Sequence, residues 1–496
     1  MIRFDEYRQL DACGMAELVR RGEVTAQELL ECAIARAQQV NPAINAINVP
    51  MFANVRRHVQ RHPPQGPFAG VPIVLKDLLA NFAGVPTSNG SRAWRYCVAG
   101  HHSTLVERLC AQGLLVIGKT NTPELGLLAT TENRAFGITR NPWDLSRTAG
   151  GSSGGTAAAV AAGIVPLGSA GDGGGSIRIP SACCGLFGLK PSRGLVPSGP
   201  DYGEVWDGAS VEHVITRSVR DSAAMLDILA GSDAASHVAL PPTENSYLQA
   251  LEQPLPKLKI GFSTESPMGG TVAVECRDAV RNVADLLQSL GHEVHEAAPD
   301  GIDTTRLSRA YADIYLAHVL ADVLQIERAH GRRYAARNFE PATLFIANLG
   351  RRFSAGAYLR SRQYWVQLRR LMAEFHNRYD LWLTPILAAE PYRLGELRSS
   401  RVEEQAMDIL NRSGLHRLVP LSQYYHISLQ QLQRVPFTQI ANLTGQPAMS
   451  VPLVWSRNGL PMGVQLVGPI GSDRRLLQLA RQLELARPWF HQQPRL

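Results

Sequence analysis

The stretch GSAGDGGGSIRIPSACCG, from Gly168 to Gly185, places Ser176 directly after three glycines. Glycine has no Cβ, so a run of glycines leaves backbone N–H groups open to a bound atom. Such groups stabilise the negative charge that develops on a carbonyl oxygen during acyl transfer. The pattern favours a nucleophilic serine beside an anion-stabilising backbone. The alternative is a tight glycine turn around a buried serine.

Residues 148–171, which lead into this stretch, contain no charged side chain. Their length would suit a membrane-spanning helix, but they are mostly glycine, serine and alanine and include Pro166. This composition is too polar for a span and favours a fully buried segment. We therefore expect no membrane contact.

Helix and strand patterns alternate along the first half of the chain. A capping box at Thr25 and Glu28 precedes an amphipathic helical run. The patterns then predict a strand over 71–75, a helix over 104–112, a strand over 114–118, a helix over 156–163 and a brief strand over 164–167. Residues 176–180 and the loop after them complete this unit. Such alternation predicts an α/β protein with a sizeable core.

The second half of the chain is less regular. Its patterns predict a helix over 218–231, a linker over 233–246, a strand over 257–262 and a long helical stretch over 307–378. Further strands are predicted over 379–385, 447–455 and 463–469, and a closing helix over 473–486. We find no internal repeat and no low-complexity segment.

Charge and cysteine content narrow the function classes. The 496 residues include 50 lysines and arginines against 43 aspartates and glutamates, a net charge of +7. The arginine pairs are scattered, so we expect no nucleic-acid partner. Seven cysteines without CxxC spacing indicate reduced thiols, and the adjacent Cys183 and Cys184 are too close for an ordinary disulfide. With acidic residues near the start in place of a signal peptide, these features predict a cytoplasmic protein.

One group of metal-ligating residue types stands out in the sequence. Cys97, His101, His102 and Cys110 lie close together along the chain, but their spacing matches no common zinc pattern. Loop histidines and buried thiols account for them. We expect no metal and no cofactor.

Two short motifs match known signatures without their structural context. Residues 113–120, GLLVIGKT, match the P-loop pattern, but its central residues are strand formers and the helix comes before the match. Residues 150–154, GGSSG, match the nucleophile elbow, but a polar loop and not an apolar strand precedes the serine. Neither a nucleotide site nor an elbow nucleophile is predicted.

A serine nucleophile needs a base, and the chain offers a lysine for this role. Lys76 closes the apolar run VPIVL, where burial can lower the pKa of its ammonium group. Only a neutral lysine can accept a proton from a hydroxyl. The alternative is a solvated lysine at the end of a strand.

Several long motifs, in this order, closely resemble the amidase signature family. They are KDLLA, KTNTPELG, NPWD, AGGSSGGTAAAVAAG, GDGGGSIRIPSACCGLFGLKPSRG and RSVRDSAAMLDILAG, with a return at PFTQIANLTGQPAMSVP and GLPMGVQLVG. The resemblance implies a large mixed central sheet covered by helices on both faces. It implies one amidase domain over 1–496, with a helical layer over 1–60, a catalytic core over 61–235, a variable pocket region over 240–435 and a core return over 436–496.

The resemblance also implies the chemistry. Ser176 matches the nucleophile, Ser152 the serine that follows a cis peptide bond, and Lys76 the base of a Ser-cisSer-Lys triad. The implied oxyanion hole consists of the amides of Gly173, Gly174, Gly175 and Ser176. Ser153, Asp172 and Arg178 are expected to support the site. The implied reaction is hydrolysis of a carboxamide C–N bond through an acyl-enzyme.

Substrate and partners are less constrained. The stretch GPDYGEVWDGASVEHVITRSV resembles the branch that contains 6-aminohexanoate cyclic dimer hydrolase, which implies a small linear or cyclic amide as the substrate. Tyr202, Trp206 and His213 are candidates for the acyl pocket, with core packing as the alternative. Two other functions stay open: the A subunit of a glutamyl-tRNA amidotransferase, and a non-catalytic interaction protein on the same scaffold. A homodimer is possible.

Overall fold

The computed structural model describes residues 2–238, 240 and 245–496, so part of the predicted linker over 233–246 lies outside the described residues. Helices are distributed along the whole described chain. They are α1 (Phe4–Tyr7), α2 (Ala12–Arg20), α3 (Ala26–Ile44), α4 (Phe52–Arg61), α5 (Thr104–Ala111), α6 (Gly154–Ala161), α7 (Arg178–Cys184), α8 (Val219–Leu229), α9 (Tyr247–Ala250), α10 (Val274–Ser289), α11 (Thr304–His330), α12 (Arg332–Asn338), α13 (Pro341–Gly350), α14 (Ala355–His376), α15 (Arg401–Ser413), α16 (Leu421–Leu432), α17 (Gln439–Thr444) and α18 (Asp473–Ala486).

The strands come from both halves of the chain. They are β1 (Ile47–Pro50), β2 (Pro72–Lys76), β3 (Leu115–Thr120), β4 (Glu132–Asn133), β5 (Gly137–Ile138), β6 (Arg140–Asn141), β7 (Asp144–Thr148), β8 (Leu167–Asp172), β9 (Phe187–Lys190), β10 (Val211–Thr216), β11 (Lys259–Phe262), β12 (Glu293–Glu296), β13 (Leu381–Pro385), β14 (Ala448–Val451) and β15 (Val464–Val467). Within the described residues, eleven strands form one mixed sheet in the order β1-β3-β2-β8-β10-β9-β14-β15-β13-β11-β12. The predicted mixed α/β class is confirmed, while the division of the chain into four regions stays a prediction.

The centre of this sheet brings two distant segments to one edge. Strands β2 and β8 are parallel neighbours, with Ile73 opposite Leu167 and Val74 opposite Gly168. Parallel neighbours end at the same edge of a sheet. Lys76, the last residue of β2, therefore lies beside the turn after β8, which contains the three glycines.

Local sequence signals account for the helix boundaries. Thr25 and Glu28 form the predicted capping box, in which the Glu28 N–H donates to Thr25 Oγ1 at 3.1 Å and the Thr25 N–H donates to the Glu28 carboxylate. The closing helix α18 has the predicted bounds. Helix α6 is buried on every side, as its small residues suggested. The long helical stretch is divided into α11 to α14.

Two local predictions were wrong. Residues 164–166 form no strand, because Pro166 has no N–H for the ladder and the Ile164 carbonyl accepts a bond from Tyr7 Oη at 2.8 Å. Strand β8 begins only at Leu167. The loop expected after residue 180 is helical instead: α7 runs from Arg178 to Cys184, and Pro180 stands in its first turn, where its missing N–H costs nothing.

The rejected P-loop match forms strand β3, as its strand-forming residues predicted. Lys119 in this match is fully buried, and its Nζ lies 3.8 Å from a carboxylate oxygen of Asp77. Of the helices in residues 2–238, 240 and 245–496, none is both long and apolar enough to cross a membrane.

Candidate active site

Lys76 occupies the centre of the candidate site. Its side chain is only 3% exposed, and its Nζ lies 2.8 Å from Ser152 Oγ and 3.4 Å from the carbonyl oxygen of Gly171. Burial lowers the pKa of the Lys76 ammonium from 10.5 to about 7. A lysine with this pKa is partly neutral near pH 7 and can act as a base.

The buried carboxyl group of Glu212, on strand β10, lies near the Lys76 ammonium group. Glu212 pairs with Gly171 in the register of β10 and β8. A Cβ built on Gly171 would lie 3.8 Å from Glu212 Cγ and 3.9 Å from Lys76 Nζ. Burial raises the pKa of Glu212 to about 7, and its negative charge in turn raises the pKa of Lys76, against the effect of burial. Glu212 thus supplies the nearest counter-charge on this strand.

Ser152 follows a cis peptide bond after Gly151 and is 2% exposed. It stands just before α6 and lines the same cavity as Lys76. The hydroxyl of its neighbour, Ser153, donates to the Gly171 carbonyl at 3.3 Å, the same oxygen that Lys76 approaches. The two serines and the lysine therefore share one small polar cluster.

Ser176 is partly exposed and lines the same cavity of about 350 Å³ as Lys76 and Ser152. Among the described residues its hydroxyl makes no hydrogen bond. In unliganded sites such hydrogen bonds are often long and close only when substrate binds. The arrangement gives Ser176 access to a ligand, and Lys76 and the hydroxyl of Ser152 line the same cavity.

The glycine turn before Ser176 is required by its surroundings. A Cβ on Gly174 would lie 1.8 Å from Tyr311 Oη. Gly175 has a φ of +123°, a backbone conformation that residues with a Cβ rarely adopt. The N–H of Gly175 donates to Asp172 Oδ1 at 2.7 Å, so this amide is occupied. The amides of Gly173, Gly174 and Ser176 bond to no described residue. Of the four amides predicted to form an oxyanion hole, those of Gly173, Gly174 and Ser176 are therefore open within the described residues, whereas that of Gly175 is not.

Asp172 and Arg178 stabilise this turn through a buried ion pair. Both side chains are fully buried, and Arg178 binds both carboxylate oxygens of Asp172, at 2.9 and 2.8 Å. Burial alone would raise the pKa of Asp172, but the Arg178 guanidinium holds it well below its usual range. Asn442 donates to the same carboxylate at 2.8 Å, and Gln465 accepts from Arg178 at 2.6 Å. This network fixes the backbone that presents Ser176.

The three predicted pocket residues separate in the structure. Tyr202 and Trp206 line the cavity with Ser176. His213 does not, and this prediction is corrected: it is fully buried, with its Nε2 3.1 Å from Ser222 Oγ of α8. Successive residues of a strand point to opposite faces, so when Glu212 faces Lys76, His213 faces away from it.

A second cavity of about 250 Å³ also reaches Ser176. Its lining is largely apolar. The residues include Leu127 from the segment after β3, Ile346 from α13, Leu432 from α16 and Val435 from the chain after α16. Tyr311 of α11 borders both cavities. Ser176 therefore lies where a polar and an apolar chamber meet.

Sequence reasoning missed the contribution of α11. Tyr311, His318 and Asp322 line the chamber that contains Lys76, at spacings of seven and four residues that share one helix face. That periodicity is visible in the sequence, although nothing there showed which face of the helix meets the glycine turn. Glu212 was missed for the same reason.

Comparison with known proteins agrees with this architecture. The amidase family model matches residues 28–477. A 6-aminohexanoate-cyclic-dimer hydrolase of Paenarthrobacter ureafaciens is 37% identical over 498 residues, covering 98% of this chain and 96% of that protein. The solved structure of 6-aminohexanoate cyclic dimer hydrolase complexed with substrate has a TM-score of 0.87 at 34% identity, covering 98% of this chain and 99% of that one. A bacterial aryl acylamidase structure has a TM-score of 0.84 at 28% identity, covering 97% and 98%.

The fold and these relatives define the class of the protein as a hydrolase acting on carbon–nitrogen bonds other than peptide bonds. Its relatives include hydrolases named for a small cyclic amide. More particularly, the chain belongs to the amidase signature family.

Proposed function

We propose that Ser176 is the nucleophile of this amidase, Ser152 the proton relay and Lys76 the base. The observation that carries the proposal is the 2.8 Å contact between Lys76 Nζ and Ser152 Oγ, made by a lysine whose pKa is lowered to about 7. Ser176 lines the same cavity as both. Asp172 and Arg178 support the turn, and Ser153 supports the cluster around the Gly171 carbonyl.

In this mechanism Ser176 Oγ forms a bond to the amide carbonyl carbon. Its proton passes to Ser152, and the proton of Ser152 passes to Lys76. The open amides of Gly173, Gly174 and Ser176 stabilise the negative charge on the former carbonyl oxygen. When the C–N bond breaks, Lys76 returns a proton through Ser152 to the leaving amine.

The second half of the reaction reverses these roles. Water attacks the acyl-enzyme while Lys76, again neutral, accepts its proton through Ser152. The bond to Ser176 Oγ then breaks, and Ser176 regains a proton by the same relay. The products are a carboxylic acid and an amine, which ionise in water to a carboxylate and an ammonium ion, and the enzyme returns to its starting state.

We propose a small linear or cyclic amide as the substrate. The first compound to test is the 6-aminohexanoate cyclic dimer, which appears in the names of the relatives. We further propose that residues 1–496 act as one amidase domain, in which region 240–435 supplies pocket residues such as Tyr311 and Asp322. We expect it to act in the cytoplasm, without nucleic acid or a membrane.

Two experiments test these assignments. A fluorophosphonate should label the pure protein, and Ser176→Ala should abolish labelling, whereas Ser153→Ala should retain it. Labelling that survives Ser176→Ala would overturn the nucleophile assignment. A panel of glutamine, aryl acylamides, aliphatic amides and the cyclic dimer then tests the substrate. Turnover of glutamine alone, and only with a partner protein, would favour the amidotransferase subunit instead.

A further inference from the structure

The chamber that contains Lys76 carries two carboxyl groups that the reaction does not use. Asp322 of α11 and Glu204 of the loop before β10 both line it. Neither carboxyl group makes a hydrogen bond or a close ion pair with a described residue, although the charge of His318 acts on Asp322 and the charge of Glu204 acts on Arg193. Of the described residues on this lining, Lys76 is the only lysine or arginine. His318, the other basic side chain there, is held by Tyr358 Oη at 3.2 Å and Asp207 at 3.4 Å.

The carboxyl groups of the second chamber differ, because they have partners within the protein. Glu404 binds Arg134 at 2.6 Å and Arg398 at 3.1 Å. Glu124 accepts from Ser91 Oγ at 2.6 Å. A carboxylate without a partner in a partly closed chamber is costly unless a ligand supplies the donor. Burial raises the pKa of Asp322 to about 7 against a smaller opposite effect of the His318 charge, so the protein compensates this carboxylate only in part. Asp322 is also partly exposed to the chamber, which leaves it available to a cationic ligand.

The walls of the chamber are aromatic. Tyr202, Trp206 and Tyr311 line it, and the Trp206 ring packs on that of Tyr315, with centroids 5.3 Å apart. Aromatic faces combined with carboxylates favour a cationic ammonium group over a neutral polar group. The opposite chamber, with Leu127, Ile346 and Val435, suits an uncharged apolar segment.

We propose that, among the small amides of the proposed function, this enzyme prefers those that carry a terminal ammonium group over neutral amides such as the cyclic dimer. The ammonium group binds between Asp322, Glu204 and the aromatic wall while an apolar segment lies in the second chamber. The proposal rests on the proposed function, since Ser176 stands where the chambers meet. It adds a specificity site that is separate from the catalytic residues. Asp322 contacts the substrate's charge and takes no part in bond cleavage.

Calorimetric titration with hexylammonium and 1-hexanol tests the site without requiring turnover. These probes share the apolar chain and differ in the charged group. We expect hexylammonium to bind at least about tenfold more tightly, because a hydrogen bond between charged partners exceeds one between neutral groups. Asp322→Asn should remove about tenfold of the hexylammonium affinity and leave 1-hexanol unchanged. Asp285→Asn, an exposed aspartate on α10, is the matched control and should change neither.

Equal binding of the two probes, or equal weakening of both by Asp322→Asn, would overturn the proposal. If Asp322→Asn does not fold, Glu204→Gln provides the second variant, and an unchanged preference for hexylammonium in that protein would count against the site. An enzyme that hydrolyses amides without preferring hexylammonium refutes the ammonium site alone. A protein that prefers hexylammonium but is inactive on every amide refutes the proposed function alone.

Discussion

The charge state of Lys76 gives the sharpest prediction. With a pKa of about 7 in place of 10.5, about half of the Lys76 side chains are neutral at pH 7, against about one in 3,000 for an ordinary lysine. In the proposed mechanism, Lys76 accepts a proton only when it is neutral. We therefore expect kcat/KM to rise about tenfold per pH unit below pH 7 and to level off above it, so that pH 6 retains about one tenth of the plateau.

Glu212→Gln is the perturbation that isolates this effect. Glu212 raises the pKa of Lys76, and removing its charge lowers that pKa further. Burial raises the pKa of Glu212 itself to about 7, so its charge acts on Lys76 mainly above that pH. The rising limb of the profile should therefore stay in place or move to lower pH in the variant, and a move to higher pH would contradict this role for Glu212. Glu275→Gln, an exposed glutamate on α10, is the control and should leave the profile unchanged.

The assay is the initial rate of hydrolysis of an activated aryl acylamide between pH 5.5 and 9, with substrate well below KM. Lys76→Ala should lose at least about 100-fold in kcat/KM while retaining a cooperative thermal transition. A profile that is flat between pH 6 and 8, together with activity of Lys76→Ala within threefold of the parent, would refute this role for Lys76.

Three further predictions concern the turn and its surroundings. Arg178→Ala should lower the free energy of unfolding by about 3 to 5 kcal/mol in urea titrations, because it leaves the buried Asp172 carboxylate without a positively charged partner; a loss below 1 kcal/mol would contradict this. Gly174→Ala should reduce kcat/KM at least about 100-fold, since the new Cβ would lie 1.8 Å from Tyr311 Oη, and unchanged kinetics would show that the turn tolerates a side chain. His213→Leu should leave kcat/KM within about threefold, because His213 faces α8; a large loss in kcat would restore it to the site.

Much of the fold follows from local sequence signals. The capping box at Thr25 and Glu28 and the bounds of α18 were predictable because they depend on neighbouring residues alone. Strand β2 (Pro72–Lys76) lies within one residue of the strand predicted over 71–75 for the same reason. The brief strand over 164–167 was wrong because the apolar character of Ile164 and Val165 outweighed the missing N–H of Pro166 in the prediction. Burial in a turn and burial in a strand look alike in one sequence.

In the candidate site, too, local sequence signals were predictable and tertiary contacts were not. Lys76, Ser152 and Ser176 carry recognisable motifs, and the structure gathers them around one cavity. The choice between Glu212 and His213 depended on which face of β10 meets Lys76. A strand pattern defines two faces without saying which of them faces a given neighbour.

By itself, the sequence determined which residue types are present for the chemistry, and that the turn before Ser176 needs glycine. The tertiary structure decided which distant groups surround that turn. Asp322 stands 146 positions after Ser176 along the chain and reaches its chamber only because α11 packs against the turn after β8. Local signals act over a few residues, whereas a cavity is made by packing between segments far apart in the chain, and only packing sets which side chains remain unpaired within it.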